Sequence, residues 1–436
     1  MKVCVQGLWH LGSVTSACLA SLGHEVVGLD FDAAAIQALS RNTPPVSEPG
    51  LEDLIGHGLA SGNLRFTSEI AEATKDAEVL WVAYDTPVDD NDAADAESVV
   101  VQIERVLPFL AVGATVLISS QMPVGSIRRL EATAAAKFAA RRYEFACSPE
   151  NLRLGNALDA FLRPDRIIMG VRPGRDRERL IRLLGPVTKR IEWMSIESAE
   201  MTKHAINAFL ATSVIFANEI ASICELVGAD AKEVERGLKS EGRIGPKAYL
   251  SPGAAFAGGT LARDVAFLNQ VSRERRLATP LLTSIKPSND AHKQWVKHKL
   301  EAFFPDLSHT SVAVWGLTYK PGTDTLRRSM AVELCDWLIE RGANVRVHDP
   351  AAKDLPRHWS GRVQRCDDPL SAVQGAHALV IATEWPLYQE VAADQMSQRS
   401  ATLTVLDANH FIPGIAAAQG VRYVAVGVPA KGERAW

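Results

Sequence analysis

Residues 256 to 264 read FAGGTLARD. A glycine pair lets the backbone come close to a bound group, and Thr260 and Asp264 beyond it supply a hydroxyl and a carboxylate that could act on that group. An unassisted alkyl hydroxyl is essentially never ionised at neutral pH, so Thr260 as a nucleophile needs a base beside it. Read alone, the stretch also fits a glycine-rich turn before a helix with Arg263 and Asp264 solvated. A second set lies in AEMTKHAINAFLAT, where Lys203 and Asn207 stand at i and i+4 and share one face of a helix. His204, directly after Lys203, points about a quarter turn away and is expected to pack or hydrogen-bond elsewhere.

A third set opens the chain. The β-like KVCVQ runs into G-L-W-H-L-G, with Gly7 and Gly12 at the outer positions of a dinucleotide fingerprint and Trp9 where its second glycine belongs. That glycine lets a pyrophosphate approach the helix N-terminus, so an indole there has two readings. Either the turn shifts outward and Trp9 stacks beside the cofactor or fills part of its pocket, or Trp9 occupies a dead site. Asp30 closes the next strand, placed to accept adenosine ribose hydroxyls and to repel a 2′-phosphate. The cofactor expected is NAD.

These residues need an α/β frame. The unit KVCVQ, SVTSACLASLG and EVVGLDFD is strand, helix, strand, and such parallel units put a ligand crevice at the strands' carboxyl ends. Further apolar strands are expected at 77 to 85, 114 to 120, 144 to 149 and 165 to 171. From Ser198 to Val227 there is neither glycine nor proline, enough for a helix of about 45 Å. Near residue 311 the opening pattern returns: SVAVWGLTYK, a helix closed by Gly342, and NVRVHDP ending in Asp349. The expected fold is α/β, with two Rossmann-like doubly wound domains joined by a long central helix and a helical dimerisation domain. The boundaries expected are 1–195, 196–300 and 301–436.

The 436 residues carry a formal net charge of -4, with no run of Lys or Arg to contact nucleic acid or an acidic membrane. The six cysteines are scattered inside apolar runs, as expected of free thiols in a reducing compartment. No apolar stretch before the first turn is long enough for a signal peptide, and none elsewhere runs unbroken for about 18 residues. A cytoplasmic protein is expected. Without HxxxH or clustered Cys/His spacing, no metal is expected.

The chain resembles the UDP-glucose and GDP-mannose dehydrogenase family. The resemblance rests on EPGL at 48 to 51, PVG at 123 to 125, SPENLR at 148 to 153 and AEMTKHAINAFLATSVIFANEIA at 199 to 221. RIGPK at 243 to 247, GLTYKPGTD at 316 to 324 and TEWP at 383 to 386 complete it in the same order. It implies oxidation of a nucleotide sugar's primary alcohol by NAD in a homodimer, through an aldehyde held on a cysteine in a GGSCFPKD-like motif. Here Thr260 stands in that cysteine's place, Ala262 in the proline's and Arg263 in the lysine's, and Asp264 is kept.

By the same resemblance Lys203, Asn207 and Asp264 order a water and handle the proton, and Glu150 is an acid or base near the reactive carbon. Thr86, Pro87, Ser120, Gln121 and Arg327 border the cofactor. Asn151, Leu152, Arg153, Gly258 and Lys320 contact the substrate, while Arg243 and Tyr249 hold its phosphates, the arginine from across a dimer interface. Leu154 replaces a second acid, Gln121 a threonine, and DANH at 407 to 410 replaces DGR, removing one expected contact. The machinery for the first oxidation is complete and that for the hydrolytic half is thinned. The expected reaction is a two-electron step from alcohol to carbonyl, with slow hydration of the aldehyde through Glu150 or an ordered water as the route to an acid. The rival expectation is a non-catalytic nucleotide-sugar-binding relative.

Overall fold

A computed structural model describes residues 1–87, 95–150, 152–174, 177–257, 259–400 and 402–429. Two compact units are present, Met1–Ile206 and Asn207–Trp436.

In the first unit the strands are β1 (Lys2–Gln6), β2 (Glu25–Leu29), β3 (Leu64–Thr67), β4 (Val79–Val82), β5 (Thr115–Ile118), β6 (Glu144–Cys147), β7 (Ile167–Val171) and β8 (Ile191–Met194). They form one sheet in the order β3-β2-β1-β4-β5-β6-β7-β8. The order reverses between β1 and β4, which opens a crevice at their carboxyl ends. Both faces are covered, so side chains alternate between two cores: Val3 and Val5 pack on one side of β1 and Cys4 on the other. This two-sided burial is why the strands read as continuous apolar runs. The sheet is not wholly parallel. β7 runs antiparallel to β6, and β8 then pairs parallel with β7.

In the second unit β9 (Ser311–Trp315), β10 (Asn344–His348), β11 (Val363–Arg365), β12 (Ala378–Ile381), β13 (Leu403–Leu406) and β14 (Val421–Val424) form a parallel sheet in the order β11-β10-β9-β12-β13-β14. The alternation recurs, with Val312 and Val314 on one face and Ala313 and Trp315 on the other. The expected long helix runs over Ile196–Val227, two residues earlier than Ser198. Helices Ala231–Ser240, Thr260–Glu274 and Pro280–His292 follow it.

Candidate active site

Helix His10–Ser21 follows β1 after a turn at Gly7 with φ +89. A Cβ there would lie 2.7 Å from the Tyr84 ring, and one on Gly12 would lie 1.6 Å from the Gly7 carbonyl oxygen. Gly12 therefore fixes the contact between helix and strand. Asp30 Oδ2 accepts the Leu8 N–H at 2.7 Å and Oδ1 the Asp32 N–H at 3.0 Å. The carboxylate is half-buried and keeps lone pairs beyond those two bonds. Trp9 differs from the reading in which it occupies a dead site. It is the residue before the helix, makes no side-chain cap and is 58% exposed, so the indole fills no pocket.

Thr86 is buried and its hydroxyl donates to the Gln121 carbonyl at 2.7 Å, while Pro87 is exposed. Ser120 is buried, and its Oγ has no partner among the described residues. Ser120 and Gln121 line a pocket of ≈ 330 Å³ with Glu150, Lys203, His204 and Cys147. Lys203 Nζ donates to the Glu150 carbonyl at 2.7 Å and lies 3.3 Å from the Glu150 carboxylate. The other Glu150 oxygen accepts the Leu152 N–H at 2.7 Å. Arg153 and Leu154 are exposed and half-buried. His204 meets the Met122 carbonyl at 3.2 Å, the packing role expected, although it also borders the pocket.

Two buried glutamates, given no role in the sequence reading, shape this loop region. Glu48 of EPGL accepts the Gly155 and Ala157 N–H groups, both at 2.8 Å, and meets His10 at 3.1 Å. Glu200 accepts the Gly125 and Ile127 N–H groups at 2.7 and 3.1 Å. Burial raises the Glu200 pKa, against the lowering effect of those amides. Cys147 is no substitute for the missing cysteine, because burial and the Glu200 charge push its thiol well above the ordinary range. All six cysteines are free and buried.

In the second unit the Asn207 amide donates to the Asp264 carboxylate. Asp264 is fully buried, which overturns the solvated reading; the Asn207 amide supplies one of the bonds a buried carboxylate needs. Thr260 begins helix Thr260–Glu274, exposed. The loop before it is braced by asparagines. Asn218 accepts the Gly253 N–H at 2.9 Å, Asn409 the Ala254 N–H at 2.6 Å and Asn289 the Phe256 N–H at 3.0 Å. Asn409 of DANH thus holds the loop, a task its sequence did not announce.

Arg243 and Tyr249 are exposed, and Arg243 pairs with Glu241 at 3.0 Å. Lys320 is half-buried and Arg327 exposed. The Tyr319 hydroxyl and an Arg328 nitrogen lie 3.8 and 3.9 Å from where a Gly259 side chain would begin, two neighbours the sequence reading missed. Arg328 holds φ +60, an uncommon conformation for arginine that could not be read from its neighbours. A further pocket of ≈ 700 Å³ is lined by Ala254, His292, Trp295, Met330, Val380 and Ala408. The expected contacts Asn151 and Gly258 lie outside the described residues.

Three family models match in order: the UDP-glucose/GDP-mannose dehydrogenase NAD binding domain over residues 1–188, the central domain over 197–291 and the UDP binding domain over 313–413. The chain belongs to this family. It is 34% identical to a UDP-glucose 6-dehydrogenase of Pseudomonas aeruginosa over 447 residues, covering 99% of this chain and 98% of the relative. A UDP-glucose 6-dehydrogenase of Rhizobium meliloti is 33% identical, covering 98% and 100%. A UDP-glucose dehydrogenase structure from the hyperthermophilic archaeon Pyrobaculum islandicum superposes with TM-score 0.86 at 29% identity, covering 98% of each chain.

The chain is an NAD-dependent nucleotide-sugar dehydrogenase, an oxidoreductase acting on CH-OH, and the non-catalytic alternative is not favoured. The turn would fit the cofactor: Gly7 and Gly12 hold it tight, Asp30 keeps spare lone pairs, and the buried Ser120 hydroxyl has no partner among the described residues.

Proposed function

We propose that the chain oxidises the primary alcohol of a UDP-sugar, UDP-glucose foremost, to the aldehyde, R-CH₂OH + NAD⁺ → R-CHO + NADH + H⁺. The observation that carries this is the contrast between a bonded polar set and an absent thiolate. Lys203 is held against Glu150 and Asn207 against Asp264, while Thr260 sits exposed at a helix start and every cysteine is buried. When bound, NAD supplies the hydride acceptor. Gly7, Gly12, Asp30, Thr86, Pro87, Ser120, Gln121 and Arg327 serve its binding.

The Lys203 ammonium, held beside the Glu150 carboxylate, steadies the developing alkoxide. Asp264 takes the proton through a water, and Asn207 orients that carboxylate. Glu150 is already committed to Lys203 and the Leu152 amide, which leaves aldehyde hydration poorly served. Asn151, Leu152, Arg153, Arg243, Tyr249, Gly258 and Lys320 are assigned to the substrate.

We further propose a homodimer built on a helical domain at 196–300, between domains 1–195 and 301–436, and a cytoplasmic location. Phe209, Phe216 and Ile223 recur every seven residues on the long helix and are 69%, 44% and 54% exposed, an apolar face that a second copy would cover. By length and composition this helix could cross a membrane. Its polar residues instead bond protein groups: Glu225 accepts the Trp295 indole N–H and the Gly427 N–H at 2.9 and 2.8 Å. Light scattering should give twice the chain mass.

The test of the activity is NADH formation with a panel of UDP- and GDP-sugars. UDP-glucose should turn over, and Lys203→Met should slow it roughly 10²–10⁴-fold with the fold retained. No turnover with any sugar would overturn the reading.

A further inference from the structure

The first amides of helix His10–Ser21 are where a dinucleotide's pyrophosphate is expected to rest. That helix has no acid in its own first turn and no side-chain cap from Trp9. One of its first amides is nevertheless taken. The Leu11 N–H donates to Asp85 Oδ2 at 3.1 Å. Asp85 comes from the loop after β4, the strand paired with β1, and the Ala83 N–H to Gln6 carbonyl bond at 2.8 Å carries that loop to the turn. Asp85 is exposed, with its carboxylate at the solvent side of the turn.

The second unit supplies an internal control. There the Ala382 N–H bonds the Trp315 carbonyl at 2.9 Å, the counterpart of the Ala83 bond, and the acid two residues on is Glu384. Helix Met330–Glu340 is capped by its own Ser329, whose hydroxyl accepts the Ala331 N–H at 3.1 Å. The acid of the neighbouring loop is not needed for that role.

We propose that Asp85 is an internal anion that competes with the cofactor's pyrophosphate for the first helix and so sets NAD affinity. Binding requires the carboxylate to release the Leu11 amide and withdraw from an incoming dianion. The competition acts on the phosphates alone; the adenosine, held at Asp30, does not meet it. This inference rests on the reading of the first unit as the NAD site.

The test is calorimetric titration of the full chain with NAD, ADP and adenosine, for wild type, Asp85→Asn and Asp85→Ala. Removing the charge should tighten NAD and ADP roughly tenfold, the scale of one charge-assisted bond and its repulsion, and leave adenosine unchanged. Asparagine keeps the side chain's shape, and unchanged circular dichroism would show that it folds. Wild-type binding of NAD with no gain in either variant, or an equal gain for adenosine, overturns the inference alone. No NAD binding by any form, with UDP-glucose still bound, overturns the NAD site and the inference together.

Discussion

The two nucleotide-shaped units begin alike and use the likeness differently. Each has a strand, a glycine at φ +89 and an acid at the end of the second strand: Gly7 with Asp30, and Gly316 with Asp349. Asp30 is half-buried and accepts two backbone N–H groups. Asp349 is buried, and its Oδ2 alone accepts the Leu317 N–H at 2.6 Å, the Thr318 N–H at 3.0 Å, the Thr318 hydroxyl at 3.1 Å and the Trp385 indole N–H at 3.2 Å. Its other oxygen accepts the Ala351 and Ala352 N–H groups at 2.8 and 2.9 Å. One sequence pattern thus yields an acid with capacity for a ligand and an acid spent on holding loops together.

The glycines at the two turns are the most sensitive positions. Gly12→Ala drives a Cβ onto the Gly7 carbonyl, and Gly316→Ala puts one 2.3 Å from Thr383 in a left-handed conformation. Each should cost at least about 3 kcal/mol in denaturant titration. A variant as stable as wild type would mean that the turn is looser than described.

The two acids should differ in what their loss costs. Asp349→Asn should destabilise by about 2–4 kcal/mol at pH 7, because a buried acceptor shared by six donors becomes an amide. Burial alone would raise the Asp349 pKa, but the bonds from the Leu317, Thr318, Ala351 and Ala352 amides outweigh it and lower the pKa. Its stabilisation is therefore fully present above the unfolded value of about 3.9 and is lost as pH falls through the lower folded value. The gap between wild type and variant should narrow in that acid range. Asp30→Asn should cost about 1 kcal/mol or less in stability and weaken NAD binding instead. Equal destabilisation by both substitutions would erase the distinction between the two acids.

The smallest effect concerns the loop that lost its thiol. Thr260→Cys should raise the second oxidation more than the first, seen as more acid product per aldehyde released. Equal stimulation of both steps would argue against a lost covalent step.

The α/β frame was legible because strands buried on both faces must be apolar throughout and glycines close their helices. β3 and β8 escaped notice because LRFT and IEWM are four-residue runs bearing charge. The direction of β7 is set by pairing with β6, which no local pattern reveals. The shared helical face of Lys203 and Asn207 was legible from their spacing, and the helix after the glycine pair from its turn. The burial of Asp264 was not legible, since its bond to Asn207 joins residues 57 positions apart. Asp85 hid in AYDTP because a helix-capping acid supplied by another strand looks like any loop aspartate.

The most direct test of the central claim, oxidation without a sulfur nucleophile, is the ratio of NADH formed to UDP-glucose consumed at completion. One NADH per sugar is expected, with the aldehyde trapped by a hydrazine reagent. Two NADH per sugar, with uronic acid as the sole product at the same rate as the first step, would contradict it.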